Sequence, residues 1–93
     1  MDNSDPIAPT QIEHSIDEAW DGERLEQRYN FLDYHFDEQG CYLRARVYLD
    51  DSQTATLFGP FEGRGSIAKV VSPSTEQAVL TYLRRRYAKV WQR

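Results

Sequence analysis

The sequence predicts an α+β domain: an antiparallel meander of three or four strands, a C-terminal helix packed on one face, and a short helix near the N-terminus. Three observations carry this. The run Cys41-Tyr42-Leu43-Arg44-Ala45-Arg46-Val47-Tyr48-Leu49 alternates without a break. A two-residue side-chain period therefore puts Cys41, Leu43, Ala45, Val47 and Leu49 on a core face and Tyr42, Arg44, Arg46 and Tyr48 on a wet one. Turn residues flank the run, Asp37-Glu38-Gln39-Gly40 before it and Asp50-Asp51-Ser52-Gln53 after it. Further on, Val79, Leu80, Leu83, Tyr87, Val90 and Trp91 fall on one helical stripe behind Ser72-Pro73, a cap followed by proline where its missing N–H does no harm.

Taken in order, residues 1–9 are polar and proline-containing and are expected to be a disordered tail, leaving 10–93 as a single domain. Thr10 and Glu13 have capping-box spacing, and Ile12, Ile16, Ala19 and Trp20 recur at helical intervals, so a short amphipathic helix is expected over 11–20, stopped by Asp21-Gly22. Residues 29–36 are aromatic and β-favouring and form the first strand of a hairpin. A four-residue turn would pair Phe36 with Cys41, Tyr34 with Leu43, Leu32 with Ala45 and Asn30 with Val47, so that apolar meets apolar. The same register sets Asp33 opposite Arg44 and His35 opposite Tyr42 on the wet face. Residues 54–58 form the third strand, closed by Gly59-Pro60, and residues 67–71 a short fourth.

Composition limits the function classes. The chain has 93 residues, enough for one small core, and a single cysteine, so no internal disulfide can staple it; Cys41 reads as a small buried hydrophobe. No apolar stretch is long enough to cross a bilayer and no leader pattern opens the chain, which predicts a soluble cytoplasmic protein without a membrane role. The net charge of -4 disfavours a dedicated nucleic-acid binder, but its distribution is uneven. Residues 1–40 hold eleven acids against Arg24 and Arg28, whereas 41–93 hold four acids against nine Arg or Lys.

Among candidate sites, the wet face of Tyr42, Arg44, Arg46 and Tyr48, with Tyr29 and Phe31 beside it, combines aromatics with guanidinium groups. That mixture anchors protein interfaces and also stacks and neutralises single-stranded nucleic acid. The basic helix end, with Arg85 and Lys89 facing water, is a second contact surface for an acidic partner. Asp33, His35 and Asp37 share a strand face, and a carboxylate beside an imidazole can serve acid–base chemistry; such an enzyme needs His35 to line a pocket. Residues 59–66 lack the Gly-Lys-Ser/Thr ending of a phosphate loop and read as a mobile surface loop. No catalytic residue, metal site or cofactor is assigned. The preferred reading is a non-catalytic protein-interaction module, a small bacterial-type adaptor, regulator or inhibitor-like protein, bound to a protein partner or a second copy through the Tyr/Arg face. Single-stranded nucleic acid on that face is the alternative.

The predicted order of helix, three-stranded meander and helix is similar, in topology alone, to that of double-stranded RNA-binding domains. Those domains open their second helix with lysines, whereas Ser74, Thr75, Glu76 and Gln77 stand there in this chain. Their RNA-binding function is therefore not expected here.

Overall fold

The computed structural model describes residues 4–93. Five strands form one sheet in sequence order: β1 (Gln11–Asp21), β2 (Arg24–Glu38), β3 (Cys41–Tyr48), β4 (Thr54–Phe61) and β5 (Lys89–Gln92), with α1 (Pro73–Arg84) between the last two. Neighbours run antiparallel except β4 and β5, which are parallel and so need the crossover that α1 supplies.

The alternation in β3 folds as its period demands. Cys41, Leu43, Ala45 and Val47 join Phe36, Ala55, Leu57, Val79, Leu80, Tyr82 and Leu83 in one buried cluster, with α1 as its lid. Fully burying each large aliphatic side chain there contributes about 2 kcal/mol. Leu49 leaves this face, because residues Leu49–Asp51 coil into a 3-10 turn and expose it.

The hairpin register differs from the expected one by two residues. Glu38 pairs with Cys41, Phe36 with Leu43, Tyr34 with Ala45 and Leu32 with Val47, while Asp33 faces Arg46 and His35 faces Arg44. The turn is Gln39-Gly40 alone, with φ of 48° and 75°. Positive φ at both central residues matches strand twist and closes a hairpin in two residues, where four had been expected. A shift of two preserves every face assignment and changes every cross-strand partner.

The expected helix over 11–20 is instead the edge strand β1. Ile12, Ile16 and Trp20 are spaced by four, and residues four apart share a face in a helix and in a strand alike. Tertiary pairing decided between them. Thr10, expected as a helix cap, donates its N–H to the His35 carbonyl at 2.7 Å and its hydroxyl to Asp37 Oδ2 at 2.9 Å, aligning β1 on β2.

At the other end α1 starts at Pro73 as expected but stops at Arg84, and Val90 and Trp91 belong to β5. Tyr87 turns back to donate its hydroxyl to Tyr34 at 2.7 Å. The β-favouring Val-Trp pair then completes the sheet beside β4. Residues 67–71 form no strand; Lys69 makes one isolated bridge to Phe61.

Of the expected tail, residues 1–3 lie outside the described residues. Asp5 pairs with Arg86 at 2.7 Å and Arg85 at 3.2 Å, and Ile7 packs against the core. The bond to Arg86, helped by Arg85, holds the Asp5 carboxyl below its ordinary value. Among the described residues, no helix is long and apolar enough to cross a membrane.

Candidate functional site

The face of the sheet opposite α1 carries the aromatic and basic side chains that alternation predicted. Three arginines are laid over three aromatic rings: Arg46 over Phe31 at 4.0 Å, Arg44 over Phe58 at 4.8 Å and Arg64 over Tyr42 at 5.6 Å. Each guanidinium shields a ring from water while keeping its charged head near solvent. This face is therefore partly closed by its own side chains. Phe31 and Tyr42 are buried, while Tyr48 and Tyr29 stay exposed at its margin, edge-on to one another at 6.2 Å.

Two ion pairs and one hydrogen-bond chain order these groups. Arg46 clasps buried Asp33 through two bonds. Arg64, from the loop after β4, donates to Gln11 Oε1 at 2.7 Å and lies 3.4 Å from Asp37 Oδ2, strapping the loop across β1 and β2. Between them His35, 6% exposed, has Tyr42 Oη 2.6 Å from Nδ1 and Glu13 Oε1 3.1 Å from Nε2. A neutral ring with its proton on Nε2 satisfies both partners: Nε2–H donates to the carboxylate, and the phenol donates to Nδ1. The long-range closure of β1 onto β2 supplies Glu13, which sequence reasoning had assigned to a helix cap.

His35, Tyr42, Arg44, Phe61, Arg64 and Ile67 are among the residues lining an open recess of about 350 Å³. The imidazole thus meets the requirement of lining a pocket, but both its nitrogens are engaged by protein. Burial pushes the Tyr42 phenol above its ordinary value, so the chain ends on a group that holds its proton at neutral pH. Among the described residues, no three His, Cys, Asp or Glu side chains converge to hold a metal ion.

Arg44 stands apart. Its Nε is enclosed without a hydrogen-bond partner, and among the described residues no carboxylate pairs with it. Arg85, expected to face water, does so while also bonding Asp5 and the Ser4 carbonyl; Lys89 is exposed at the start of β5. The basic helix end and the Tyr/Arg face are separate surfaces, on opposite sides of the sheet.

The β1–β2 hairpin, which sequence reasoning missed as a surface, reaches past the cover of α1. Ile12, Ile16, Trp20 and Leu25 are all exposed, Trp20 at 57%. The first three share one strand face, and Trp20 and Leu25 are paired beyond a bulge. The molecule spans 51 Å along its longest axis, roughly the length of the fifteen-residue strand β2. The sequence signal was the four-residue spacing itself, legible as a strand face once β1 is known to be a strand.

Comparison with protein-family models, with curated proteins and with solved structures finds no match to this chain.

Proposed function

We propose that the protein is a non-catalytic interaction module that grips a protein partner with its β1–β2 hairpin. The observation that carries this reading is the uncovered ladder of Ile12, Ile16, Trp20 and Leu25. These side chains alternate on the face with His14 and with the Glu18–Arg28 ion pair. Large exposed apolar groups rimmed by polar ones mark a contact site, and tryptophan is enriched among the anchors of such contacts. Exposed Tyr29 and Tyr48 extend the surface onto the other face, so part of the Tyr/Arg face takes part. Residues 11–28 carry six acids against Arg24 and Arg28, so the partner presents a basic rim around an apolar groove. Arg46 and Arg64 are already neutralised by Asp33 and Asp37, which supports a protein rather than a nucleic-acid partner for this end of the sheet.

The test is capture from cell extract by the wild-type chain and by the double variant Ile16→Ser, Trp20→Ser, alongside titration with a single-stranded oligonucleotide. The expected result is a stoichiometric protein retained by the wild type and lost by the variant, whose circular dichroism is unchanged. Equal retention by both chains overturns the hairpin reading. Steeply salt-dependent oligonucleotide binding, with shifts at Arg44 and Tyr48, replaces it with the nucleic-acid one.

A further inference from the structure

We propose that the recess between β2, β3 and the loop at 62–67 binds a carboxylate carried on an apolar body, received by Arg44. This does not depend on the hairpin reading, since the recess lies on the opposite face from Ile16 and Trp20.

Charge accounting singles out Arg44. Around the recess, Arg46 has Asp33 and Arg64 has Asp37, while the Glu13 carboxylate accepts the hydrogen bond of the His35 ring. Arg44 is half-buried and held against the Phe58 ring, and among the described residues its side chain has neither an ion pair nor a hydrogen bond. A guanidinium partly removed from water and without a counter-charge is unfavourable, and an anion on its terminal N–H groups offsets that cost. The Phe58 ring, 4.8 Å from Cζ, supports the guanidinium beside the recess that Arg44 lines, and its N–H groups are the donors a carboxylate would meet there. His35 and Tyr42, tied to each other and to Glu13, form a rigid polar floor.

The ligand class follows from charge and shape. Among the described residues Arg44 is the arginine of the recess without a carboxylate, and one guanidinium matches one carboxylate. A phosphate dianion would bring a second negative charge toward Glu13, which bonds His35, and Asp37, which pairs with Arg64. Phe61 and the largely exposed Ile67 offer apolar walls for the rest of the molecule, and the volume suits a small organic acid or one terminal residue. A free aromatic acid and the C-terminus of a peptide share this chemistry.

The test follows backbone amides by NMR while titrating the chain with benzoate, N-acetylphenylalanine, N-acetylphenylalanine amide and inorganic phosphate. Saturable shifts at Arg44, Tyr42 and Ile67 are expected with a carboxylate and not with the amide or phosphate. Saturation by benzoate alone points to free acids, and saturation by N-acetylphenylalanine alone to peptide termini; either supports the site. Arg44→Gln should weaken binding about tenfold or more. Because that change touches a half-buried residue, Ile67→Asp provides a second variant: the side chain is open to solvent, so the fold should tolerate it, while a carboxylate on the wall should repel the ligand by a similar factor. Absence of saturation with both acids, an equal response to amide or phosphate, or unchanged binding in both variants overturns the proposal.

Discussion

Asp33 and Arg46 face each other across β2 and β3 and close a two-pronged ion pair, Nε to Oδ1 at 2.9 Å and Nη2 to Oδ2 at 3.0 Å. The carboxylate is almost fully buried, and its bonds hold the Arg46 guanidinium even further above neutrality than usual. Arg46→Met leaves a buried carboxylate without its counter-charge. The expected loss is about 2 kcal/mol, below the range for a fully buried pair because Arg46 keeps some solvent contact. Arg46→Lys should recover only part of it, since an ammonium cannot make the double contact. Urea denaturation of both variants measures this, and a change under about 0.5 kcal/mol would class the pair with ordinary surface contacts.

Gly59 lies where β4 bends against β3, at φ +110°, and a Cβ there would stand 2.9 Å from the Tyr42 carbonyl oxygen. Neither the backbone conformation nor the space suits a side chain, and the obstructing atom is backbone that cannot swing aside. Gly59→Ala should destabilise by about 2 kcal/mol. It should also shift the Tyr42 and Arg44 amides, because the strand carrying them must move. A thermal midpoint equal to wild type would show that β4 can relax instead.

Alkaline pH should weaken the fold. Tyr42, Tyr82 and Tyr87 are each raised above the ordinary tyrosine value of 10.0, burial being the first cause in all three, and Tyr87 is held further by its bond to Tyr34. The folded chain keeps these protons to higher pH than the unfolded chain does. Their contribution is therefore complete below about pH 10 and is lost as pH rises beyond it. Urea midpoints at about pH 8 and about pH 11 should show the fall, and Tyr87→Phe should lessen it. A Tyr87→Phe chain with the same alkaline loss as wild type would assign the effect to other groups.

The hairpin residues should be nearly silent in stability. Trp20→Ser and Ile16→Ser remove side chains that are about half exposed or more and lie outside the buried core cluster. Each should change unfolding free energy by no more than about 0.5 kcal/mol. Leu83→Ala, within the core, should cost about 3 kcal/mol in the same urea series. A large loss at Trp20 would mean that the ladder serves the fold rather than a partner.

What was legible in the chain follows from local periods. The strict alternation of residues 41–48 assigned both faces of β3, and Ser72-Pro73 placed the start of α1. Even the mistaken hairpin register kept the faces, because its error was two residues and the side-chain period is two. Four-residue spacing cannot separate strand from helix, which is why the apolar residues of β1 suggest an amphipathic helix.

By itself, then, the sequence determined a one-core α+β chain, the inward and outward sides of its central strand, and the aromatic-basic character of the outward one. Tertiary structure decided which cations are free. Arg46 meets Asp33, Arg64 reaches Gln11 and Asp37 from a distant loop, and Glu13 comes to His35 only because β1 pairs with β2. Those partners lie 13 to 53 residues away along the chain, and no local period encodes such distances. Pairing across the sheet does, and among the described residues it leaves Arg44 as the arginine of this face without an acid.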